Sequence, residues 1–460
     1  MTKYIAAVLL IPAALACSKK VPDRPIPEGM QEVVVRVTVE DSETRSVLDG
    51  REVLWETGDA ICVWDGTQQN TLSKYGDDFS GTIAESPTEL CAFYPQLGNN
   101  APTAVVKTDD EDPAFVTFLP SFQRLRPNSV SQGALMSACR PVLSGGALWG
   151  EMKIQCSFIK FTIGDAANHP VTKVRFSNTA AYLSGRCKLE FGESAMSLTT
   201  MSENHYVECG PASGAYFANG TYYVTVLPGS LSSGMTITVT TLDGEIYEYT
   251  TAEPITLGRN RVAFMGQVDS KIAAGDGLTA KYSIMIDFVN NSGISGWCAD
   301  NKSSGTLSVP VNGTSYSFPC YALYNPSRHF LGNSGYIVTP ALFGKTLKQI
   351  VVTYKGDSSV GTMGMYIRKE DRSGGLSGIY YTTRNTPDLS NAEKWYTVPA
   401  IAQSLSRAMC VSHIFNLGNK QSDGEKNRAI DGSVTDNTSY SIFQTSGSIS
   451  CMDQIQLIYE

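Results

Sequence analysis

The chain has 460 residues, 17% of them charged, and its 44 acidic and 36 basic side chains leave a net charge of −8. The acidic excess is thinly spread and no Lys/Arg cluster with interleaved aromatics occurs, which argues against nucleic acid as a partner. The length is enough for about three ordinary domains, and the abundance of Gly, Ser, Thr and Tyr suits extracellular β-structure with many turns.

The N-terminus reads as an export signal. Lys3 gives a positive start, and Ile5 to Ala16 form an apolar run that Pro12 interrupts and that is too short to span a bilayer as a mature helix. Ala14-Leu15-Ala16-Cys17 resembles a bacterial lipobox, with Ala14 where a branched residue is usual. The resemblance implies that residues 1–16 are removed and that Cys17 takes a diacylglycerol, so that the only membrane attachment is lipid. Residues 17–30 contain three prolines and little to bury, and read as a tether.

Strands follow. Val33, Val35, Val37 and Val39 share one face of an alternating segment, with Arg36 and Thr38 on the other. Further strands are expected at 60–64, 89–94 and 114–119, with a short helix candidate at 134–138. A second block opens near residue 150, where Ile159, Phe161 and Ile163 alternate with Lys160 and Thr162. Strands are expected at 222–227 and 235–240, and Asp243-Gly244 before 245–249 is a hairpin signal. Residues 269–280 are small, polar and glycine-containing, and read as a linker. The third block, 281–460, begins with alternating Ile284, Ile286 and Phe288 and ends with alternating Ile455, Leu457 and Tyr459, strands that would pair in a jelly-roll-like sandwich. Residues 404–409 are a second short helix candidate.

Of the 11 cysteines, those beyond Cys17 form no Cys-x-x-Cys pair, and several sit in apolar runs such as Ile61-Cys62-Val63-Trp64. The pattern favours buried thiols acting as small hydrophobes over a disulfide framework.

Several motifs together resemble the fimbrillin-like family, the lipoprotein precursors of type V pilus subunits and their tip and accessory relatives. Trp55-Glu56-Thr57-Gly58-Asp59-Ala60-Ile61-Cys62-Val63 resembles the W-x-x-G-D-x-I-x-V segment of that family. Phe79-Ser80-Gly81, Ala92-Phe93-Tyr94-Pro95 and Leu135-Met136-Ser137-Ala138 follow in order, then Leu227-Pro228-Gly229, Asp243-Gly244 and Leu257-Gly258-Arg259-Asn260. The similarity covers residues 31–268. It implies an all-β chain of two tandem fimbrillin-like β-sandwich domains, 31–145 and 146–268, ahead of the C-terminal sandwich. It also implies strand exchange: an arginine-specific protease removes the first strand, and the open edge accepts a strand from another pilus subunit. Arg45, in Thr44-Arg45-Ser46, is the candidate cleavage site; the other reading is an exposed loop arginine. A third domain departs from a minimal shaft pilin and favours a tip, accessory or adhesin role.

Chemistry offers little else. The 4 histidines stand apart in sequence with no metal motif. Ser157-Phe158-Ile159-Lys160 spells Ser-x-x-Lys, but in a strand residues three apart face opposite ways. Asp109-Asp110-Glu111-Asp112 lacks the spaced oxygen pattern of a calcium loop. No catalytic residue, metal or cofactor is expected. Trp297 and Trp395, with Tyr380 and Tyr381 next, are candidates for stacking on a glycan; the other reading is that both tryptophans are core. The sequence thus predicts a non-catalytic lipoprotein at the cell outer membrane, acting in adhesion or pilus assembly toward other subunits or a surface ligand. Its alternative is a glycan-binding lipoprotein using the last domain.

Overall fold

The computed structural model describes residues 26–39, 59–75, 78–95, 104–106, 113–131, 134–192, 195–200, 204–290, 293–311, 313–324, 330–342, 344–356, 365–369, 381–382, 411–416, 440–444 and 450–460. The regular structure among them is strand apart from one short helix, so the expected all-β fold is observed.

The first group of strands is β1 (Met30–Val39), β2 (Ala60–Trp64), β3 (Gln69–Tyr75), β4 (Asp78–Ala84), β5 (Cys91–Tyr94), β6 (Ala104–Val106), β7 (Ala114–Leu119), β8 (Phe122–Leu125), β9 (Ser137–Cys139), β10 (Val142–Ser144) and β11 (Ala147–Ile154). Seven of these close on themselves in the order β1-β4-β3-β2-β5-β9-β11, with β11 returning to β1. Closure removes sheet edges, and the interior fills with apolar side chains including Val33, Val35, Ile61, Leu72, Phe79, Phe93 and Leu148. The helix expected at 134–138 is not formed. Ala134, Leu135, Met136 and Ala138 are all buried, so no polar face exists for an amphipathic helix, and Ala138 instead pairs with Phe93 of β5 and Lys153 of β11.

The second group is β12 (Ser157–Ile163), β13 (Val171–Ser177), β14 (Gly185–Phe191), β15 (Met196–Thr200), β16 (Tyr206–Pro211), β17 (Gly220–Val226), β18 (Gly229–Leu231), β19 (Thr236–Thr241), β20 (Glu245–Thr250), β21 (Ile255–Leu257) and β22 (Val262–Gln267). Two earlier strands belong to these sheets by hydrogen bonding: β7 pairs with β14 and β8 runs parallel to β16. A second core gathers Ile159, Phe161, Phe176, Tyr222, Val224 and Val239. The hairpin expected at Asp243-Gly244 joins β19 to β20, with Gly244 at φ 86.

Residues 269–280 hold the helix α1 (Ser270–Ala274) and the start of β23 (Leu278–Asp287). They are tied down at both ends: the buried Asp269 carboxylate accepts from the Gly164 and Asp165 amides, and Glu248 N–H donates to Gly277 C=O. Beyond come β24 (Ser304–Val311), β25 (Thr314–Tyr324), β26 (Phe330–Val338), β27 (Leu347–Gly356), β28 (Met365–Lys369), β29 (Tyr381–Thr382), β30 (Val411–Asn416), β31 (Tyr440–Gln444) and β32 (Ser450–Tyr459). As expected for the first and last strands of a sandwich, the first and last of these pair, Ile284 opposite Leu457 and Ile286 opposite Ile455. Their side chains enter a third core with Leu307, Phe318 and Ile350. The sheet also runs on from the second group, because β23 pairs with β20 at Glu245–Tyr282 and Tyr247–Leu278.

Candidate functional site

The site built from the residues upward is the seat of β1. Its first half pairs antiparallel with β4, from Met30–Ala84 to Val35–Phe79. Its second half pairs parallel with β11, from Val34–Ala147 to Val39–Met152. The strand is therefore the stave that closes the ring, and it shares backbone bonds with both neighbours.

Its alternation decides which side chains hold it there. Val33 and Val35 are buried, and Val37 and Val39 pack more loosely on the same core. Full burial of a valine stabilises by about 1.5–3 kcal/mol, so the first pair dominates. The partners opposite them are unequal in size. Val33 faces Gly81 and Val35 faces Phe79, while Val37 faces Gly150. A Cβ on Gly81 would lie 3.0 Å from Leu72 Cγ, and one on Gly150 would lie 3.0 Å from Cys139 Sγ. Glycine at these points lets the neighbouring wall close up behind the valines. The Phe79-Ser80-Gly81 motif is thus the floor of this seat.

The outer face is polar and exposed. The Arg36 guanidinium lies 5.1 Å from the centre of the Trp149 ring, and the two residues are register partners. Beside them Val142, opposite Trp149 in β10, is 66% exposed.

Asp65 fixes the β4 side of the seat. It is buried in the turn after β2 and accepts from Thr67 and Gln68 amides, from Asn70, and at 2.9 Å from the Ala84 amide, at the end where Met30 docks. Burial opposes its ionisation, and the backbone and side-chain donors overcome that, holding it at about 2. Asp59 accepts a hydrogen bond from the Tyr94 hydroxyl at 3.0 Å, joining two of the motif segments. Arg259 and Asn260 bond the carbonyls of Ile154 and Cys156, which anchors the end of β11.

A second polar constellation lies between strands of the second and C-terminal groups that belong to one continuous sheet, where β8, β13 and β16 come against β23, β30 and β32. Arg124 of β8 is buried and bonds Asp287 of β23 through both Nη atoms, at 2.8 and 3.0 Å. It also bonds Asp453 of β32 at 2.7 and 3.1 Å. Burial works against this cation, and the two aspartates more than offset it, so its pKa lies above the ordinary arginine value. Glu208 of β16 is fully buried between Lys173, at 2.9 Å, and Arg175, at 2.7 Å, and accepts from the Ser412 hydroxyl. Burial pushes the Glu208 carboxyl up, but the two cations and Ser412 bring it down to about 2. Gln456 spans the gap, accepting from Lys173 and donating to Thr240 and Ser283. A small apolar contact of Ile246, Val351 and Ile458 completes it.

None of these charged residues was singled out from sequence. In the strand Val171–Ser177, Lys173 and Arg175 alternate with Val174 and Phe176, the signature of a solvent face; only the C-terminal strands of the same continuous sheet bury it, through Gln456 and Gln349.

Of the residues singled out from sequence, Cys17, Arg45 and Trp395 lie outside the described residues, as do Trp55, Tyr380, the acidic run 109–112 and the helix candidate at 404–409. Trp297 is half-buried against the C-terminal core, its ring 5.9 Å from that of Phe288. In the Ser-x-x-Lys segment, the Ser157 hydroxyl donates to Gly258 C=O while Lys160 extends over the Tyr223 and Phe264 rings. Among the described residues no group of three or more His, Cys, Asp or Glu could hold a metal ion, and no helix is long and apolar enough to cross a membrane.

No family model matches the chain, and no curated protein matches it. Solved structures similar to it include a Bacteroides ovatus protein provisionally assigned to cell adhesion, 14% identical, covering 51% of this chain and 92% of its own, with a TM-score of 0.33. The C-terminally truncated tip fimbrial protein Mfa3 from Porphyromonas gingivalis is 11% identical over 52% of this chain and 94% of its own, at a TM-score of 0.27. A fimbrial protein from Bacteroides ovatus is 13% identical over 72% of this chain and 68% of its own, at 0.28. These neighbours are fimbrial and adhesion proteins, the kind of protein the motifs resemble. At this level of likeness the functional reading rests on the chain's own residues.

Proposed function

We propose that this protein is a surface-directed, non-catalytic subunit of the fimbrillin-like type, acting in adhesion or pilus assembly as a tip or accessory component. The observation that carries the reading is the position of β1. It closes a ring whose two flanking strands, β4 and β11, lose their backbone partners on that side if it leaves. An opened ring presents two sheet edges and an apolar slot shaped for alternating small side chains, which is a receptor for a strand from another subunit. Arg45 follows β1 by six residues and is the proposed point of release. Cys17 is the proposed lipid attachment that places the protein at the outer membrane, and a division into three β units, expected from sequence near residues 145 and 268 with β11 (Ala147–Ile154) completing the first, belongs to the same proposal.

The test is cleavage of the purified protein with an arginine-specific protease. Scission after Arg45 followed by oligomers is expected, and Arg45→Ala should abolish both. A clipped chain that stays monomeric would overturn the strand-exchange reading. Palmitate labelling that survives Cys17→Ser would overturn the anchor.

A further inference from the structure

We propose that Cys298 and Cys320 form a disulfide when the protein folds under oxidising conditions, stapling the segment ahead of β24 to the C-terminal core. The two Sγ atoms lie 3.6 Å apart, and both residues are buried in the same cluster. Cys298 N–H donates to Leu323 C=O at 3.0 Å, which fixes its backbone beside β25. Gly305 is the register partner of Cys320. A Cβ on Gly305 would lie 3.2 Å from Cys298 Sγ and 2.8 Å from Gly296 C=O, so the absence of a side chain there is what allows Cys298 to reach across to Cys320. Trp297 on Phe288 and the pairing of Ser295 with Ser308 hold the approaching segment from the other side. Bond formation requires the two sulfurs to close from 3.6 Å to about 2.05 Å.

The reaction is thiol–disulfide exchange with a small disulfide oxidant of the oxidised-glutathione class. One cysteine thiolate attacks the oxidant and releases one thiol. The second cysteine thiolate then attacks the mixed disulfide and releases the other. Two electrons and two protons pass from the cysteine pair to the oxidant, and one sulfur–sulfur bond is exchanged for another. Burial, with Cys298 alongside, pushes the Cys320 thiol up to about 12, so the thiolate is scarce once the core has closed. The oxidant must act while the chain is still folding. This inference stands apart from the strand-exchange reading, since it involves neither β1 nor any partner.

The experiment refolds the full chain from denaturant with a mixture of reduced and oxidised glutathione. The product is denatured without reductant, alkylated and mapped by mass spectrometry. The expected result is a linked pair of peptides carrying Cys298 and Cys320. Refolding with reductant alone should lower the melting temperature of the wild type by about 5–10 °C relative to the oxidised form. In Cys298→Ser/Cys320→Ser the two refolding conditions should give the same melting temperature. Alkylation of both cysteines in the oxidised preparation, or their linkage to other cysteines, overturns the proposal. If the double variant does not fold, the mapping of the wild type alone decides.

Discussion

Truncating the inward valines of β1 should open the first ring selectively. Val33→Ala/Val35→Ala removes two methyl groups at each of two fully buried positions. Lost transfer at about 0.8 kcal/mol per group, plus the unfilled space, gives about 2 kcal/mol per site and about 4 kcal/mol together. At 1.4 kcal/mol per tenfold, the population in which β1 has detached rises about a thousandfold. Hydrogen exchange read by mass spectrometry should show this as lost protection in three places: β1 itself, residues 79–84 of β4 and residues 147–152 of β11. Strands β12 to β22 should keep theirs. Arg36→Ala is the control, because it removes only the outward contact with Trp149, worth about 0.5–1 kcal/mol at an exposed site. If Arg36→Ala deprotects the ring as much as the valine pair does, or if the valine pair deprotects the whole chain evenly, β1 is not an independently releasable stave.

The polar contact between the middle and C-terminal groups of strands yields two further expectations. Arg124→Met leaves the buried Asp453 and the partly exposed Asp287 without their guanidinium and should cost about 3–5 kcal/mol in urea unfolding; an unchanged midpoint would show that the two carboxylates are already neutral or solvated. Acid should weaken the same contact. The folded-state pKa of Glu208, about 2, lies below its unfolded value of about 4.3, so its contribution is complete above pH ~4.3 and is lost as pH falls toward 2. Glu208→Gln should flatten that part of the stability profile; a Glu208→Gln profile as steep as the wild type's would assign the acid loss to other groups.

The parts that were legible in the sequence share one property. Val33 to Val39, Ile159 to Ile163 and Ile455 to Tyr459 alternate over a short range, and the two-residue period of a strand converts that directly into two faces; in the first two segments the apolar face is the more buried one, whereas in the last Gln456 and Ile458 are buried as well. The Asp243-Gly244 turn is local in the same way, since a positive φ favours glycine wherever the turn sits. Residues 134–138 misled because an apolar run without a polar face fits either a helix or an inner strand, and only the neighbouring β5 and β11 decide between them.

Alternation determined that this is a β protein and which valines of its first strand turn inward, because both follow from bonds and side chains within a few residues of each other. Ring closure by β1, the room that Gly81 and Gly150 leave behind it, and the burial of Arg124, Lys173 and Glu208 were decided only by tertiary structure. Each depends on a partner tens or hundreds of residues away, and a charge on the outer face of a strand looks the same in sequence whether water or distant strands lie against it.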